Sequence, residues 1–75
     1  MQLGTRWNLG EEPPARLSAD VVAAARSVEA QVGPREGWRW TLTWLEGRPV
    51  VELDDGTVIR VDHDGVVTVQ HPGAD

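Results

Sequence analysis

Apolar residues recur along this chain with two different periods. Between residues 18 and 33 the period is helical: Val21, Ala25, Val28 and Val32 fall within about 60° of one another on a helical wheel, with Ala24 at the margin. Ala23, Arg26, Ser27 and Ala30 point away. Ser18 is a good N-cap residue, Asp20 puts a carboxylate in the first turn to complement the helix dipole, and Leu17 is placed to staple onto Val22. Pro13-Pro14 forces an extended approach and prevents an earlier start, and Gly33-Pro34 supplies a left-handed stop and a block. The pattern predicts a helix over about 18–32.

From Trp38 onward the period is two. Trp38, Trp40, Leu42 and Trp44 alternate with Arg39, Thr41 and Thr43, the mark of a strand with one buried face. Glu46-Gly47 closes a two-residue hairpin, which sets Leu42 opposite Val51 and Trp40 opposite Leu53. At the next reversal a two-residue Asp55-Gly56 turn would bring Arg60 opposite Val51. A three-residue Asp54-Asp55-Gly56 loop with a glycine bulge brings Ile59 there instead and keeps the apolar face continuous. The same loop at His63-Asp64-Gly65 aligns Val61 with Val67 and Ile59 with Val69.

The predicted fold class is α+β: one α-helix packed on a four-stranded antiparallel β-meander, with an N-terminal arm. The sheet face toward the helix is Trp40, Leu42, Trp44, Val51, Leu53, Ile59, Val61, Val67 and Val69, and the small residues of the helix stripe allow close approach. Residues 1–12 carry Leu3, Trp7 and Leu9 among glycines and read as an arm lying on the domain. Residues 13–70 form the single domain and 71–75 a flexible tail.

Composition sharpens this picture. The chain has 75 residues, four Trp and no Phe, Tyr, Cys or Lys, so indoles supply all the aromatic bulk of a small core. Without Cys there is no disulfide, thiol nucleophile, Cys-ligated zinc or Cys-ligated cluster. Twelve acidic residues against seven arginines give a formal charge of −5, and the arginines are scattered singly along the chain, which disfavours a nucleic-acid partner. No apolar run approaches the ~20 residues that span a bilayer, and no signal-peptide pattern opens the chain, so the expectation is a cytoplasmic protein without a membrane partner.

Candidate chemistry is sparse. Trp38, Trp40 and Trp44 could form a stacking platform, but their parity places them with the aliphatic core. Asp62-His63-Asp64 and Asp54-Asp55 have ligand-type side chains in tight turns, where Asp also serves the turn's own backbone, so no metal and no cofactor is expected. The histidines at 63 and 71 lie in a turn and a tail, and neither Ser18 nor Ser27 has a base at hand, so no catalytic residue and no enzymatic activity is expected. The far face of the sheet is the candidate protein-interaction surface: Thr41, Thr43, Val50, Glu52, Val58, Arg60, Val66 and Thr68, with Val50, Val58 and Val66 as a potential apolar patch. Its partner would be another protein or a second copy in a homodimer. The alternative is a ligand- or nucleic-acid-binding module built on exposed Trp38 and Arg39.

Gly4-Thr5-Arg6-Trp7, Pro13-Pro14, Val28-Glu29, the stretch from Trp40 to Pro49 and Glu52-Leu53-Asp54-Asp55-Gly56 together resemble a family of short uncharacterised proteins from G+C-rich bacteria of the actinobacterial type. Some members carry an Fe–S oxidoreductase label. The resemblance spans almost the whole chain and implies no site residue.

Overall fold

A computed structural model describes residues 4–72. Its sheet has five strands in the order β1-β2-β3-β4-β5, all antiparallel, formed by Thr5–Asn8, Arg39–Leu45, Arg48–Leu53, Val58–Val61 and Val67–Gln70. Helix α1, Ala19–Val32, lies in the connection from β1 to β2. The meander from β2 to β5 has the register that the turns predict: Trp40 faces Leu53, Leu42 faces Val51, Val51 faces Ile59, Ile59 faces Val69 and Val61 faces Val67. Both three-residue loops end on a left-handed glycine, Gly56 at φ 100° and Gly65 at φ 84°.

The helix is bounded as its sequence signals. Ser18 Oγ accepts the Val21 N–H at 3.3 Å, and Gly33, at φ 72°, donates its N–H to the Glu29 carbonyl. Val21, Ala25 and Val28 are buried, and α1 packs across β4 and β5.

Two expectations need correction. The N-terminal arm is in part a fifth strand: β1 pairs along β2, with Thr5 facing Leu42 and Trp7 facing Trp40. Two physical features hold it there. Trp7 stacks on Trp40 with ring centroids 6.3 Å apart and planes 23° apart, so an apolar side chain closes the β2 side of the core. Gly4, at φ 109°, brings its backbone so close that a Cβ would stand 2.5 Å from the Leu42 carbonyl oxygen. Such a short strand between glycines has no periodicity of its own to reveal it. Leu3 and the end of the tail, residues 73–75, lie outside the described residues.

The second correction concerns Trp44. It has the parity of the core face, yet it is 40 % exposed and does not join the buried cluster. Its partner in the ladder is Pro49, one pair from the hairpin tip, and Trp44 lines a surface depression with Gly4, Thr5, Pro14 and Arg16. Trp7 and Trp40 supply the buried aromatic bulk instead, with Trp38 partly buried against them.

One polar contact ties the layers together. Glu29 Oε2 accepts the Trp40 indole N–H at 2.9 Å and the Gly10 backbone N–H at 3.0 Å, while Oε1 accepts from Arg26 at 3.0 Å. Partial burial raises the Glu29 pKa, but the Gly10, Trp40 and Arg26 hydrogen bonds and the Arg26 charge outweigh it, so the carboxyl lies below its ordinary value of 4.5. A depressed folded-state pKa contributes stability above the unfolded value and loses it as pH falls through the folded one. The urea midpoint of the wild type should therefore drop between about pH 7 and about pH 3 more than that of Glu29→Gln. Trp40→Phe should cost roughly 1.5–3 kcal/mol beyond its packing loss, because it removes a hydrogen bond to a charged acceptor. Trp7→Phe should cost less, since the buried Trp7 indole N–H has no hydrogen-bond partner among the described residues. Equal costs for the two variants would show that the Glu29 contact contributes nothing.

Candidate interaction face

Alternation fixes what the far side of the sheet displays. With Trp7, Trp40, Leu42, Val51, Leu53 and Ile59 turned to the helix, the intervening residues point the other way. Across the strands one row runs Arg6, Thr41, Glu52, Val58, Gln70, and the next runs Thr43, Val50, Arg60, Thr68. Seven of the eight residues predicted for this face thus lie together on it. Val66 does not join the ladder: it precedes β5 and is 55 % exposed, exchanging backbone contacts with Asp62 at the mouth of the last loop. Val50 and Val58 are diagonal neighbours and half-buried, but Arg60 and Thr68 separate them from Val66. The expected three-valine patch is therefore a two-valine one.

The structure adds residues that the parity argument had not carried to its end, among them Arg48 on β3 and Gln70 on β5. Arg39 and Leu45 continue the outward positions of β2, and Arg6 arrives with β1. Leu45 is 62 % exposed and, with Arg48, Val50, Arg60, Thr68 and Gln70, lines a concavity of about 500 Å³. The β2–β3 turn sets this corner: Leu45 faces Arg48 across Glu46-Gly47, and both turn residues are left-handed, at φ 53° and 78°. Arg48 Nη2 reaches Glu46 Oε1 at 3.3 Å.

The acidic loops serve their own backbones. Asp62 Oδ1 accepts the N–H groups of Asp64 and Val66, each at 2.9 Å, and Asp55 Oδ1 accepts that of Thr57 at 2.8 Å. Asp54 Oδ2 accepts the Arg39 N–H at 3.0 Å. The Asp62 carboxyl lies below its ordinary value: the Val66 N–H lowers it most, slight desolvation opposes, and the Asp64 N–H with the charges of His63 and Arg48 adds to the lowering. Among the described residues no group of three or more His, Asp or Glu is arranged to hold a metal ion.

Trp38 and Arg39 do not form one surface. Trp38 is partly buried against the core and its ring is covered by the Arg35 guanidinium at 5.6 Å, whereas Arg39 lies on the opposite face. Among the described residues no helix is long and apolar enough to cross a membrane.

Compared with models of protein families, curated proteins and solved structures, the chain finds no match.

The strained position in the β2–β3 turn yields a stability prediction. A non-glycine residue in the left-handed region costs about 1–2 kcal/mol, and Asn tolerates it best. The exposed Glu46–Arg48 ion pair contributes less. Glu46→Asn should therefore raise the melting temperature by several degrees, about 4–8 °C per kcal/mol in a domain of this size. An unchanged or lowered melting temperature would show that the turn is not strained.

Proposed function

We propose that this protein is a small, non-catalytic binding or accessory domain that docks another protein on the far face of its sheet. The observation that carries this reading is the division of labour between the two faces. The helix side is consumed in building the core, with Trp40, Val51 and Ile59 at 0 % exposure. The far side keeps Leu45 exposed and Val50 and Val58 half-covered, beside a concavity that the described residues leave open. The hydroxyls of Thr41, Thr43 and Thr68 suit a polar rim around these apolar positions.

The placement of the reactive side chains supports a role without catalysis. Ser18 caps the helix, Ser27 is exposed on it, and His63 sits exposed in a loop with Asp64 3.6 Å away. A nucleophile within reach of a base does not occur among these side chains.

Photo-crosslinkers introduced singly at Thr43 and Thr68, and at Ala23 on the exposed helix face, test the reading in extracts of the source cells. Discrete crosslinked proteins should form from the sheet positions and not from residue 23. Crosslinks from residue 23 alone would overturn the assignment of the face. Light scattering of the wild type and of Val58→Glu tells whether the docked protein is a second copy, since only self-association would give a wild-type dimer that the variant disrupts.

A further inference from the structure

Resting on that docking reading, we infer that the partner presents an acidic, partly apolar peptide segment, seated in the Leu45–Val50 concavity with a carboxylate on Arg60. The first argument is how the arginines are used. Arg26 pairs with Glu29, Arg35 lies over Trp38, and Arg48 contacts Glu46. Arg6, Arg16, Arg39 and Arg60 have no side-chain partner among the described residues, and three of these, Arg6, Arg39 and Arg60, lie on the same far face of the sheet. In a chain of formal charge −5, the strands place four arginines on that face against one acidic residue, Glu52.

Carboxylates near the face offset part of this charge, and Asp62 lines the concavity itself together with Arg48 and Arg60. Asp54 and Asp62 accept hydrogen bonds from backbone N–H groups, and Glu46 is held to Arg48. Glu52 lies diagonally between Arg39 and Arg60, touching neither. The face therefore offers unused guanidinium forks, which match carboxylates bidentately, beside apolar side chains that have no such need.

That combination selects the occupant. A bare polyanion such as single-stranded DNA would use the arginines but gain nothing from Leu45 and Val50. A second copy docked face to face would set arginines against arginines. A segment carrying Glu or Asp beside Leu or Val uses both features at once. Extended pairing against β5 then requires the apolar and the acidic residue two positions apart, so that both face the concavity and Arg60.

The test is fluorescence anisotropy with a fluorescein-labelled peptide of about ten residues repeating Leu-Thr-Glu-Thr, its Gln-for-Glu twin and an oligothymidylate of similar length. The acidic peptide should bind with a dissociation constant below about 1 mM, at least about tenfold more tightly than either other probe, and less tightly as salt rises. Arg60→Gln should weaken it by about tenfold or more, whereas Arg35→Gln, which removes the guanidinium over Trp38 on the opposite side of the sheet, should leave it unchanged. Equal binding of the neutral twin would overturn the acidic preference while leaving a peptide-binding face. Tighter binding of the oligothymidylate would replace the inference with a nucleic-acid site. Absence of acidic-peptide binding, or equal loss in the two variants, would overturn it outright, and the crosslinking pattern would then decide separately whether the face docks protein at all.

Discussion

The Glu29 carboxylate is where three separate stretches of the chain meet. Its two oxygens hold the indole of Trp40 on the central sheet, the backbone of Gly10 in the segment that leaves β1, and Arg26 one turn back on its own helix. Without this contact the Trp40 indole N–H would be buried with no acceptor, and the segment after β1 would lose one of its anchors. The indole that Glu29 holds from the helix side is the same one that stacks on Trp7. A short chain with one helix has few ways to position two indoles in its core, and a partly buried carboxylate supplies one.

Fixing Trp40 also fixes the outer face. Register in a sheet with one buried side is strict, since a slip of one residue would turn every apolar side chain outward. With Trp40 opposite Leu53 and Trp7 opposite Trp40, the arginines at 6, 39, 48 and 60 have no choice but the far side. Electrostatic asymmetry in this protein is thus a by-product of core packing. Arginines scattered singly through the sequence become neighbours across strands.

Most of the scaffold was legible in the residues. Ser18, Gly33 and Pro34 bound the helix, and the choice between two- and three-residue loops followed from which one kept Ile59 opposite Val51. What was not legible had a definite cause in each case. β1 is too short to show a period, and its pairing depends on the free edge of β2 and on the close approach that Gly4 permits. Trp44 obeys the alternation but stands one pair from the hairpin tip, outside the buried cluster, and parity says which way a side chain points, never what lies above it. The residues of the candidate face share one side of the sheet by the same parity, whereas Val66 stands before the ladder resumes. Glu29 left only a faint trace, a carboxylate one helical turn from Ala25 and Val32 on the edge of the buried stripe.

By itself, then, the sequence determined the local rules: where the helix starts and stops, which turns close the hairpins, and which side of each strand is apolar. These follow from backbone sterics and from the period of hydrophobic residues, which act over a few positions. Tertiary structure alone decided that the N-terminal segment completes the sheet, that Glu29 clasps Trp40, and that separated arginines share one surface. Those are contacts between residues far apart in the chain, and no local pattern encodes them, because each depends on how neighbouring layers leave space, edges and donors to be filled.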